Sequence, residues 1–120
     1  MTNQIQGEIL FAGVTAVYTP WMPVRGDRAT FGVEIEQASN TTLKWSVQTR
    51  TSEDPKPTNY GEPVATETDS AIAVHLKQSS STAANLCKQL VRYRFETTGT
   101  ASAASFVVFR ALQPSWQVDR

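Results

Sequence analysis

The sequence predicts an all-β protein, a single-domain antiparallel β-sandwich of jelly-roll or immunoglobulin-like type, with a small β-barrel as the alternative. Three observations lead there. Thr, Ser, Val and aromatic residues recur throughout, while runs of Ala, Leu, Glu and Lys at helical spacing are missing. Apolar and polar side chains alternate with a period of two in several short stretches. Turn residues separate these stretches at intervals that suit about six to eight short strands. The chain has 120 residues, enough to bury a core without staples, and neither a repeat nor a second domain is visible, so residues 1–120 read as one domain.

Taken in order, the first strand is expected at Ile5 to Ala12 and a second at Val14 to Tyr18, with Gly13 allowing a bend between them. Residues 1–12 could serve as an N-terminal arm. In "TPWMPVRGD", Pro20 and Pro23 cannot donate ladder hydrogen bonds, so residues 19–28 read as a loop or a sheet edge. Phe31, Val33 and Ile35 then share one face, with Thr30, Gly32, Glu34 and Glu36 on the other. After the turn "ASNT", Leu43, Trp45 and Val47 repeat the pattern, and the two strands are expected to form an antiparallel hairpin. In it, Glu34 and Glu36 could face Lys44 or Arg50 across the outer surface.

Residues 51–63, with three prolines and a glycine, read as a long loop. Ile72, Val74 and Leu76 form the next alternating strand, which leaves His75 on its polar face. "KQSSSTAANLCKQ" is a polar connection with a short helical turn near Thr82 to Cys87. Val91, Tyr93 and Phe95 alternate with Arg92, Arg94 and Glu96, and "TTGTASA" turns the chain into a last strand, giving a second hairpin. That last strand, "FVVFRAL", is apolar on both faces, which a half-buried strand should not be. Its second face calls for a cover: the chain's own Pro-rich segment at Trp21 or loop at Tyr60, or a neighbouring subunit.

Eleven basic and eleven acidic residues cancel, so no long-range field draws the chain to nucleic acid or to an anionic membrane, and neither is expected as a partner. The single cysteine, Cys87, allows no intramolecular disulfide. "MTNQIQGEIL" does not read as a secretory signal, so the expected location is cytoplasmic unless the chain belongs to a virion.

No residue set specifies a reaction, and the chain is expected not to be an enzyme. His75 is the lone histidine and reads as a solvated or partly covered imidazole rather than a base for Cys87. The two have no companions at metal-binding spacing, the six glycines are scattered singly, and no cofactor is expected. "RGD" at Arg25 to Asp27 matches an integrin-binding tripeptide but also suits a turn, and "NTT" at Asn40 matches a glycosylation acceptor but reads as a turn as well. Trp45 belongs to the core by its alternation. Trp21 and Trp116 lie beside prolines outside the expected strands and need cover from a neighbouring segment or another molecule. Together with Val107 and Phe109 they are the candidate interface residues.

With "LVRYRFETTG" followed by "SFVVFRALQPSW", this short neutral chain resembles the small all-β structural proteins of tailed phages, in particular head decoration (cement) proteins. The resemblance implies a virion protein that self-associates into a trimer or similar cluster and contacts a major capsid protein. The alternative is a carbohydrate- or receptor-binding β-sandwich module of a tail or adhesion protein, with Trp21 in its site.

Overall fold

The computed structural model describes residues 16–53, 60–81, 85–98 and 105–118, and the backbone of residues 4–11. The strands are β1 (Gln4–Phe11), β2 (Val17–Tyr18), β3 (Met22–Pro23), β4 (Arg28–Ser39), β5 (Leu43–Arg50), β6 (Gly61–Asp69), β7 (Val74–Gln78), β8 (Leu90–Thr97), β9 (Phe106–Leu112) and β10 (Ser115–Gln117). They form two antiparallel sheets packed as a sandwich, one from β1, β9, β10, β4 and β7 and the other from β2, β3, β8, β5 and β6. The all-β expectation holds, as a sandwich and not a closed barrel.

Two of the short strands are continuations of their predecessors. Thr30 pairs with both Gln78 and Ser115, and Val33 with both His75 and Ala111, so β9 and β10 run along the same side of β4, opposite β7. From Ala111 to Ser115 is four steps while Val33 to Thr30 is three, so one extra residue bulges out between Ala111 and Ser115. β2 and β3 likewise share one side of β8, interrupted around Pro20. Joined this way, the sheets run β1, β9/β10, β4, β7 and β2/β3, β8, β5, β6, which is the strand order of an eight-stranded jelly roll.

That order overturns both expected hairpins. β4 and β5 lie in different sheets, as do β8 and β9. The alternation of their side chains is the same whether consecutive strands pair or face each other across a core, so the pattern could not distinguish the two. The β4–β5 corner turns at Asn40, whose φ of 55° is a left-handed conformation that asparagine tolerates. Thr41 Oγ1 donates to Thr98 O at 2.7 Å, and the Thr42 and Thr98 hydroxyls are 2.9 Å apart, tying this corner to the end of β8. The connection at residues 99–104 lies outside the described residues, as do residues 82–84 of the helical turn expected near Thr82 to Cys87. So do residues 54–59 of the expected loop 51–63, whereas Gly61 to Pro63 open β6, an edge strand that the prolines and polar threonines of the sequence concealed.

The core fills the space between the sheets. Phe31, Val33 and Ile35 of β4 and Val107, Phe109 and Ala111 of β9 face Leu43, Trp45 and Val47 of β5 and Val91, Tyr93 and Phe95 of β8, all essentially without exposure. Aromatic rings run through it in contact: Phe95 lies 4.6 Å from Phe109, Tyr93 stacks on Phe95 at 5.5 Å, and Phe31 meets Tyr93 edge-on at 5.9 Å.

Candidate functional site

Among the four candidate interface residues, Val107 (0 % exposed) and Phe109 (1 %) point into the core and have no surface left for a partner. Trp116 is in β10 rather than in a loop, opposite Ala29, and its ring meets Phe31 edge-on at 5.9 Å to close one end of the core. The second face of β9 consists of Phe106, Val108, Arg110 and Leu112, each half-buried. Arg110 there pairs with Glu34 at 3.1 Å and with Glu36, in place of the expected Lys44 or Arg50. Lys44 instead reaches Glu96 at 3.5 Å, because β5 pairs with β8.

Trp21 emerges where β2 gives way to β3, and it lies over the outer face of the other sheet. Its ring stands 5.5 Å from Tyr60, with the guanidinium groups of Arg92 and Arg50 at 4.4 and 4.8 Å from its centroid. Arg92 also lies 3.9 Å from the Tyr18 ring and 4.8 Å from Tyr60, and its Nε donates to Gln48 Oε1 at 2.9 Å. One cation thus sits against three rings. The Trp21 segment and Tyr60 do fold over a sheet, but over β8 and not over β9.

The "RGD" turn packs against the end of β10. Asp27 N–H donates to Gln117 O at 2.9 Å, and a Cβ on Gly26 would stand 2.5 Å from that same oxygen, so the glycine is required by close approach. An open cleft of about 410 Å³ beside it is lined by Asp27, Arg28, Leu86, Cys87 and Lys88. Burial pushes the Cys87 thiol up, against a hydrogen bond from the Ser79 side chain that pulls the other way. His75 has separate partners: Nδ1 is 3.4 Å from Asp69 Oδ1 and Nε2 donates to Ala71 O at 2.8 Å. Ser79, which the thiol meets, is four residues further along the chain, about 13 Å from His75 by strand rise, so the thiol and the imidazole have different partners. Among the described residues no three His, Cys, Asp or Glu side chains gather where a metal could be held.

The least expected feature is the orientation of β7. The apolar residues of its alternation face outward, with Val74 50 % and Leu76 58 % exposed, and Ile72 just before the strand is 70 % exposed. Its charged residues face the opposite sheet: Lys77 Nζ is 2.9 Å from Glu67 and His75 contacts Asp69, which also accepts Trp45 Nε1–H at 2.9 Å. Glu67 and Asp69 point inward from β6 because they pair with Trp45 and Leu43. The open side of the sandwich is therefore closed by the Lys77–Glu67 ion pair and the His75–Asp69 contact, which leaves the aliphatic side chains of β7 on the surface. The sequence did hold a signal for this. Glu67 and Asp69 are spaced two apart, as are His75 and Lys77, so two edge strands can match charge for charge.

Compared with family models, with curated proteins and with solved structures, the chain matches none.

Proposed function

We propose that this protein is a non-enzymatic structural protein of a virion, a capsid decoration (cement) protein or minor structural protein that stabilises an assembly through contacts between copies and with a major capsid protein. The observation that carries the reading is the reversed β7, an edge strand that turns Val74 and Leu76 to the outer face while His75 and Lys77 reach across to β6 of the opposite sheet. Exposed aliphatic side chains in a row on an open sheet edge suit a surface covered in the assembled state. The jelly-roll order is compatible, being shared by viral capsid domains, though also by lectins and cupins. The mechanism is mechanical: modest contacts, repeated over many copies held at high local concentration, add up to a strong attachment.

The alternative, a carbohydrate- or receptor-binding module, would draw on Trp21, Tyr18 and Tyr60. Arg92 already lies against all three rings, occupying aromatic surface that a sugar would need for stacking, and this favours the assembly reading.

Co-sedimentation with capsid shells produced from the genome that encodes the chain tests the proposal. The protein is expected to pellet with the shells, and Leu76→Asp to stay in the supernatant with an unchanged thermal transition. A native chain that stays in the supernatant counts against it.

A further inference from the structure

We propose that β7 is a self-association edge: two copies of this chain join β7 to β7 in antiparallel register centred on Leu76, merging their β7-containing sheets into one. The inference rests on the assembly reading and names one partner for its surface, a second copy.

The hydrogen-bond phase of β7 supplies the first argument. Ser79 N–H donates to Ala29 O at 2.8 Å and Ile35 N–H to Ala73 O at 3.0 Å, at the two ends of the β4–β7 ladder. With the register Phe31 to Lys77 and Val33 to His75 between them, the odd-numbered residues of β7 direct their backbone groups at β4. The N–H and C=O groups of Val74, Leu76 and Gln78 consequently point to the free edge, since among the described residues β7 pairs with β4 alone. An antiparallel twofold at Leu76 sets Leu76 against the second copy's Leu76, and Val74 against the second copy's Gln78. All three outward-pointing residues then meet outward-pointing residues, so the edge is complementary to itself.

The side chains agree with this phase. Val74, Leu76 and Gln78 lie on the outer face, where Leu76 Cδ2 and Leu112 Cδ1 close over Gly32. Pairing places Val74 and Leu76 in one uncharged row with the same residues of the second copy. On the inner face His75 comes opposite the second copy's Lys77. Each keeps its own carboxylate partner, Asp69 for His75 and Glu67 for Lys77, so the two basic groups brought together at the seam are matched by two acidic ones.

Two other edges are blocked where β7 is open from Val74 to Gln78, just short of Ser80, whose N–H donates to Pro63 O at 2.8 Å. Pro63 stands in β6, and Pro20 and Pro23 interrupt or occupy the β2/β3 edge, whereas β7 has neither a proline nor a break in register. Backbone pairing also requires little of the side chains, so a five-residue strand can serve.

Cysteine cross-linking in a Cys87→Ser background reads the register, with light scattering to give the mass. Leu76→Cys is expected to form a symmetric disulfide under mild oxidation, because opposed Cα atoms in a hydrogen-bonded pair are about 5.5 Å apart. Val74→Cys alone is expected to remain unlinked, as the two copies of residue 74 lie four residues apart along the seam. Gln78→Pro removes an N–H that β4 does not use, so it should fold normally yet weaken the dimer at least about tenfold. A chain that stays monomeric at all concentrations overturns the proposal, as does a trimer or a dimer that links no better through residue 76 than through residue 74. Shell binding retained in a monomer would remove only the second copy as occupant, while loss of both would remove the assembly reading too.

Discussion

The Tyr93 hydroxyl sits where β10 takes over from β9 and the ladder with β4 is broken by the bulged residue. Gly32 N–H donates to it at 2.9 Å, and it donates in turn to Leu112 O at 2.8 Å. One side chain from the facing sheet thus satisfies two backbone groups that the bulge has separated. Burial pushes the phenol far above its usual range, with the hydrogen bond from Gly32 opposing, so it remains a neutral donor and acceptor. Tyr93→Phe should therefore cost about 2–3 kcal/mol, more than the loss of an ordinary hydrogen bond, because the buried Gly32 N–H and the part-buried Leu112 carbonyl both lose their partner. Denaturant midpoints measure it, and a cost below about 1 kcal/mol would show that the gap closes by other means. Hydroxyls make similar repairs elsewhere: Ala29 N–H donates to Ser79 Oγ at 3.0 Å, and Tyr93 N–H to Thr19 Oγ1 at 3.0 Å beside the break at Pro20. Tyr93 was legible as a core residue from its alternation. Its hydroxyl's task was not, since a bulge in a strand distant in sequence created that task.

At the scale of elements, the paired strands β5 and β8 carry a charged outer face. Arg94 meets Glu96 Oε1 at 3.1 Å, and Lys44 Nζ reaches the same oxygen at 3.5 Å. Burial alone would raise the Glu96 carboxyl, but the Arg94 and Lys44 charges outweigh it and hold the group below its ordinary value. A carboxyl lowered in the folded chain contributes stability above its unfolded value and loses it as the pH falls through the folded one. Stability should accordingly decline on the acid side of the usual carboxylate range, by no more than about 1 kcal/mol from this group, given its partial exposure. Unfolding curves of the native chain and Glu96→Gln against pH check this: the difference between them should vanish at low pH. The phase of β7 belongs to the same scale. Its alternation was readable, but whether its apolar or its charged face turned inward depended on the Glu67 and Asp69 carboxylates waiting across the gap.

For the whole molecule, most strand pairs join segments far apart in the chain, such as β1 with β9 and β4 with β9. Loop closure must precede the contacts that reward it, so refolding is expected in the millisecond-to-second range, slow for a chain of this size. Stopped-flow tryptophan fluorescence gives the rate, and microsecond folding would contradict the non-local topology. What the sequence determined by itself was local: a period of two, breaks at prolines and glycines, and the core faces of β4, β5 and β8, because a strand's alternation is written in adjacent residues. Which strands share a sheet, which face of β9 meets the core and which way β7 turns were decided only by the tertiary structure. Period-two patterns are silent about partners, and the choice among partners rests on burial and charge matching summed over the whole sandwich.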